Sequence, residues 1–316
     1  MKIRKRKYHF LLSALLILVA VSGCQKEPPI TKAEYIQHIV DYVSSDSLES
    51  YVSWLEGMGT RFALADNHRE VAERIRNRFI AFGYLSARLD SFYLTRTFRG
   101  IDYSTWQYNI IASLPGREDD SICIVGAHYD NIVSGGDPFT LSPGANDNAS
   151  GVAAVLEIAR IMKERRFRPK HTLRFTAFAA EELGLHGSLH QAGQDASAGS
   201  SIKMMINYDM IAYLEEPSTT PWLVNIIHYD NSEGLKNEAA ELCAVNSTLV
   251  SYSDNTNYNR SDSYAYYMHG FRALFFHQSD IESTYHTVGD VTSVCNFQYC
   301  REVVRASFAL VLDKNY

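Results

Sequence analysis

Along the first quarter of the globular sequence the apolar positions fall on helical stripes. Ile36, Ile39, Val40 and Val43 follow the capping-box sequence TKAE at 31–34. Asp46 and Glu49 repeat that start signal for a short helix ending near Gly57. A third helix is predicted over about 67–82, with Val71, Ile75 and Phe79 inward and Gly83 as its stop. From Tyr84 the pattern changes to alternation and short unbroken apolar runs. These predict strands at 85–94, 107–114, 121–127, 172–179, 202–208, 222–228 and 272–277. Helical stretches fall at about 149–165, 184–193, 233–245 and 297–312. Strands that are apolar on both faces and alternate with helices imply a sheet covered from both sides. The expected fold class is α/β: a three-layer sandwich with a central, mostly parallel mixed β-sheet flanked by helices. No repeat or linker interrupts 31–316, which reads as one domain.

The first residues do not belong to that pattern. Residues 2–7 (KIRKRK) form a basic head, and 10–22 (FLLSALLILVAVS) an apolar run too short to span a bilayer comfortably. The run closes on VSGC, which resembles a bacterial lipobox. A lipoprotein signal peptide over 1–23, lipidation at Cys24 and a tether over 24–30 are expected. They imply an exported protein anchored to the cell envelope. Removing 1–23 takes away five positive charges and no negative one, moving the formal charge from −6 to −11. Such a surface repels nucleic acid. Of the remaining cysteines, Cys123, Cys243, Cys295 and Cys300, no two are spaced C-x-x-C, which disfavours a structural zinc knuckle. Spacing alone leaves open whether Cys295 and Cys300 pair.

Ligands of open α/β sheets bind beyond the carboxyl ends of the strands. After strand 121–127 come His128 and Asp130, and the next loop, PGANDNASG at 143–151, holds Asp147. Glu181 and Glu182 follow strand 172–179, Asp209 follows 202–208, and His286 lies in the loop after 272–277. Each has an ordinary explanation by itself. A Gly/Asn/Asp-rich stretch is a turn, and adjacent glutamates start solvated helices. Along one sheet edge, however, so many carboxylates would repel one another unless cations joined them. A mixed His/carboxylate set suits zinc.

The segments AHYD, PGANDNASG, AEELGLHGS, NYDM and YHTVGD, in this order, resemble the co-catalytic di-zinc aminopeptidase family typified by bacterial leucyl aminopeptidase. The likeness runs over nearly all of 31–316, including GTRFA at 59–63. It implies two Zn²⁺ per chain, with Asp147 bridging them. His128 and Asp209 complete one zinc, Glu182 and His286 the other. Glu181 would be the general base on a metal-bridging water, and Asp130 would orient His128. The peptide bond after Asp147 would be cis. Tyr258, in NYNRSD at 257–262, would hydrogen-bond the tetrahedral intermediate. Peptide substrates and a monomeric chain are expected. The sequence departs from many relatives at Ser263, where they carry His after the motif's Asp.

Two other functions compete. Glutaminyl cyclases resemble this family and keep most ligand positions while working with one zinc. They have Trp directly before the last zinc His, where this chain has Tyr285. A non-catalytic surface scaffold is the other, and the complete ligand set argues against it.

Overall fold

The first helices fall where their stripes predict: α1 (Lys32–Val40), α2 (Ser45–Glu56) and α3 (His68–Ala81). The computed structural model describes residues 30–118, 120–215, 221–280 and 282–316. The leader and Cys24 therefore lie outside the described residues. Lys32–Tyr316 form one compact unit. The cap of α2 is Ser44 rather than Asp46, because its hydroxyl accepts the Ser47 N–H at 3.2 Å. Gly83, at φ +95°, ends the α3 segment in a conformation that other residues rarely adopt.

Two long strands follow, β1 (Arg88–Phe98) and β2 (Ile101–Leu114), paired as an antiparallel hairpin with Tyr93 opposite Trp106. Both extend beyond the runs at 85–94 and 107–114. The outer half is largely exposed, so burial leaves no periodic signature there. Its tip is held instead by Phe98, whose ring lies 5.0 Å from Phe62 and 6.1 Å from Phe139.

The remaining elements alternate. They are β3 (Ile122–His128), α4 (Gly151–Glu164), β4 (Thr172–Phe178), α5 (His186–Ser197), β5 (Ile202–Tyr208), β6 (Leu223–His228), α6 (Glu233–Asn246), β7 (Val250–Tyr252), α7 (Ser263–Met268), β8 (Ala273–Gln278) and α8 (Phe297–Asn315). Strand β7 and helix α7 are additions to the predicted set, both too short for a period to register. The eight strands lie in the order β1-β2-β4-β3-β5-β8-β6-β7. Strands β4, β3, β5 and β8 are mutually parallel neighbours, while β1–β2, β2–β4 and β6–β8 are antiparallel. The sheet is mixed with a parallel centre, as expected.

Its two faces are both buried, and strand alternation divides them. Cys123, Val125, Ala127, Met204 and Ile206 join the core beneath α4 and α8. Ile124, Phe178 and Met205 join a smaller core with Ala192 of α5 and Tyr266 of α7. Each fully buried Ile, Leu or Phe in these layers contributes about 1.5–3 kcal/mol. Cys295 and Cys300 stand as separate thiols. Because the four central strands point the same way, their carboxyl ends share one edge of the sheet.

Candidate metal centre

That edge carries the predicted side chains. His128 is the last residue of β3, Glu181 and Glu182 lie in the turn after β4, and Asp209 follows β5 directly. His286 stands in the loop after β8, and Asp147 in the irregular turn before α4. The structure brings them together. His128 Nε2 is 3.5 Å from Asp147, 3.4 Å from Asp209 and 4.0 Å from Glu181. His286 Nε2 is 3.1 Å from the other oxygen of Asp147 and 3.0 Å from Glu182. Asp147 thus offers one oxygen to each histidine. Three flanking positions, Ala180, Met210 and His286, take left-handed backbone at φ +55°, +53° and +54°. Such conformations cluster where function constrains the chain.

The turn around Asp147 is held on every side. Asn146 donates to Gln278 and Glu282 and accepts from the Ala212 N–H. Asn148 donates to the Tyr208 carbonyl at 2.8 Å and accepts from Gly151 N–H at 2.9 Å. Asp290 accepts the N–H groups of Asn146 and Asp147 at 2.7 and 2.9 Å. Gly144 is at φ +55°, and a Cβ there would lie 2.4 Å from the Asp147 carbonyl oxygen. The asparagines therefore brace the loop, and only glycine fits its entry. The Asp147–Asn148 peptide is cis.

Asp130, expected to orient His128, stands beside it, and its carboxylate accepts the N–H groups of Glu181 and Glu182 at 3.0 and 3.2 Å. It is the Asp130 main-chain carbonyl that lies 3.1 Å from His128 Nδ1. The carboxylate satisfies two N–H groups of a tight turn and remains 3.7 Å from that nitrogen. Tyr258 does not stand among the described residues that line the cleft. Its ring packs 6.4 Å from Tyr229 and 5.6 Å from Tyr264. The cleft tyrosines are Tyr252 and Tyr285, and Tyr285 stacks on the His286 ring at 3.8 Å. The motif YHTVGD contains both Tyr285 and Asp290; Tyr285 is marked there only as the residue in place of the cyclase Trp, and Asp290 is not marked at all. Ser261, also unmarked, donates to Asp209 at 2.7 Å and accepts from Asn207 at 2.6 Å.

The cleft holds about 420 Å³ and runs from these carboxylates to Tyr252, Asp254 and Asp280. Its electrostatics are those of a site built for cations. Burial, and then the charges of Glu182, Asp209 and Asp262 against that of His128, raise the Glu181 carboxyl well above its usual range. Burial and Asp147 push Glu182 up to about 8. Burial alone would lower His286, but Asp147 and Glu182 outweigh it and raise it to about 10. Burial would likewise raise Asp209, and the His128 charge overrides it to hold Asp209 low. Glu182 Oε1 is buried without a hydrogen-bond partner, an orphan that a cation would satisfy. His128 with Asp147 and Glu182, and His128 with Glu181 and Asp209, form two groups compact enough to hold a metal ion. With one His and two carboxylates in each group, the residues fit zinc.

Residues 109–311 match the model of peptidase family M28, well over half of the chain. The chain belongs to peptidase family M28. A probable leucine aminopeptidase of Arthroderma otae is 27% identical over 281 residues, 85% of this chain and 72% of that protein. Against two other curated relatives, this M28 chain spans 44% and 58% of their length. The LapA aminopeptidase of Legionella pneumophila shares the fold with a TM-score of 0.75, 20% identity, and coverage of 96% of this chain and 80% of its own. A glutaminyl cyclase of Bacteroides thetaiotaomicron shares it too, with a TM-score of 0.68, 18% identity, and coverage of 86% and 98%. The M28 fold is therefore common to peptidase and cyclase, and the site must choose between them.

Proposed function

We propose that this M28 protein is an exported zinc aminopeptidase that removes N-terminal residues from peptides. The observation that carries the reading is the convergence of His128, Asp147, Glu182, Asp209 and His286, with Glu181 beside them, at one end of an open cleft. His128, Asp147 and Asp209 would hold one Zn²⁺, and Asp147 with Glu182 and His286 a second. Zinc held there supplies the Lewis acidity that lowers the pKa of water and polarises a carbonyl. Glu181 takes a proton from the attacking water at its carboxylate and passes it to the leaving amine. Asp130 holds the main chain of Glu181 and Glu182 in place for that exchange. The Tyr285 phenol, kept protonated by burial and the nearby carboxylates and stacked on His286, is the cleft hydroxyl we assign to the reacting carbonyl oxygen. The carboxylates at this end also suit the cationic α-amine of a peptide.

Cyclisation of N-terminal Gln is the second reading, favoured by the fold shared with the cyclase. It needs no water nucleophile, and a ligand set for two ions with a separate carboxylate base supports hydrolysis instead. The deciding experiment gives the purified chain leucyl and glutaminyl reporters in parallel while zinc per chain is counted. Free leucine with two zincs and no pyroglutamyl product is expected. Pyroglutamate formation with one zinc would transfer the assignment to the cyclase. Export and anchoring through Cys24 belong to the same proposal and rest on the leader sequence.

A further inference from the structure

Arg61 plays no part in the chemistry above, yet its bonds lead to the same loop. Its side chain is fully enclosed, and all four of its hydrogen bonds end on main-chain carbonyls. Nε donates to Tyr129 at 2.8 Å, Nη1 to Leu55 at 3.2 Å and Pro143 at 2.8 Å, and Nη2 to Gly144 at 2.7 Å. Asn131 completes the knot. Its Oδ1 accepts the Arg61 N–H at 3.1 Å, while Nδ2 donates to Ser142 at 2.5 Å and Pro143 at 3.3 Å. One guanidinium thus joins three segments: the end of α2, the residue between His128 and Asp130, and the chain entering Asp147.

Asp290 grips the same loop from its N–H side, through Asn146 and Asp147. Residues 143–147 are therefore held between a guanidinium on their carbonyls and a carboxyl group on their amides. Burying a guanidinium is costly. Burial pulls Arg61 down to about 10 against the raising influence of Asp290, Asp130, Asp147 and Glu56. Apolar residues of similar volume commonly replace buried charges without loss of stability. A planar fork with five donors in fixed directions holds four carbonyls at once, which no apolar group and no three-donor ammonium can do.

We propose that Arg61 is a positioning residue for the metal-bridging carboxylate. By fixing the carbonyls of Tyr129, Pro143 and Gly144 it sets where Asp147 stands relative to His128. This rests on the reading of Asp147 as the bridge between two zincs.

The test measures zinc affinity by chelator competition, zinc per chain, kcat and KM in the full chain, for wild type, Arg61→Lys and Arg305→Lys. Arg305 is a buried arginine elsewhere, bonded to Asp41 and the Asn246 carbonyl, and controls for the loss of a core guanidinium. Arg61→Lys should bind at least one zinc about 10–100-fold more weakly, the range for residues that orient metal ligands. Its kcat should fall at saturating zinc while KM stays near wild type. Arg305→Lys should lose thermal stability and keep both affinities. If Arg61→Lys does not fold, Asn131→Ser, which cuts the ties to Ser142 and Pro143, should weaken zinc in the same way. Wild-type affinity and kcat in a folded Arg61→Lys chain, or in Asn131→Ser as its substitute, would overturn the inference alone. A wild-type chain that binds fewer than two zincs would overturn the parent reading and this one with it.

Discussion

Replacing Glu181 by Gln keeps the shape of the side chain and removes its negative charge and its ability to take a proton. The main chain of Glu181 is pinned by Asp130 at 3.0 Å, and its oxygen stands 4.0 Å from His128 Nε2, farther than Asp147 or Asp209. On the proposed ligand set, which leaves Glu181 out, the substitution should leave both zincs bound. Turnover should fall by about 10²–10⁴, the range for losing a general base, equivalent to about 3–5 kcal/mol of barrier. A second, opposite effect follows from burial. The site raises the Glu181 carboxyl well above its usual range, so ionising it costs folded-state stability in the metal-free chain. A neutral amide avoids that cost. For a raised carboxyl the cost grows as pH rises above the unfolded value. The metal-free variant should therefore melt higher than metal-free wild type at pH 8, with the gain vanishing near pH 4. Zinc content by elemental analysis, steady-state kinetics on a leucyl reporter and thermal melts after chelation read the three quantities. Loss of a zinc would make Glu181 a ligand instead, and near-normal turnover would move the base elsewhere.

Chelated wild type should lose thermal stability as pH rises from about 5 to about 10. Glu182 is raised from 4.5 to about 8 and His286 from 6.5 to about 10, so the stability tied to both protons is present at low pH and lost through those values. Zinc-loaded protein should show a flatter profile, because its ligands are already deprotonated, and equal slopes in the two melts would refute this. Tyr285→Phe should lower kcat by about 10²-fold, as for a lost oxyanion donor. Tyr258→Phe should leave kcat near wild type, and the reverse ranking would restore Tyr258 to the site. Asp290→Asn sets an amide NH₂ against the N–H groups of the Asp147 turn, costing about 1–3 kcal/mol as a lower melting temperature and weaker zinc binding. Cys24→Ser should move the protein from membrane to soluble fractions, and identical fractionation would remove the lipid anchor.

The metal-site candidates were legible because each follows a strand whose apolar run is easy to see, and parallel strands deliver their ends to one edge. What the sequence could not supply was direction. The spacing of His128 and Asp130 brings them close, but not which atom of Asp130 meets the imidazole. The carboxylate is drawn to the Glu181 and Glu182 amides because a tight turn leaves them unpaired. Resemblance gave Tyr258 the hydrogen-bonding role and marked Tyr285 only as the residue in place of the cyclase Trp; the sequence does not show that Tyr285 faces the cleft while Tyr258 packs beside Tyr229 and Tyr264. Arg61 was visible as part of GTRFA, but its partners are carbonyls distant in sequence, which no side-chain pattern announces. Strand β7 and helix α7 owe their existence to neighbours more than to any period of their own.

The cleft has two walls of different construction. The metal-side wall ends the four central parallel strands and is cross-braced through Asp130, Asn146, Asn148 and Asp290. The opposite wall hangs from β7, a strand of three residues at the sheet margin, and from the exposed loop carrying Asp254 and Thr256. That loop is tied to β6 through Asn225, Ile226 and His228, and none of the proposed zinc ligands lies in it. If the chain is the aminopeptidase proposed above, side-chain preference would drift through substitutions and insertions near 252–260 with the proposed ligands unchanged, and this margin would be the natural target for redirecting it to new peptides.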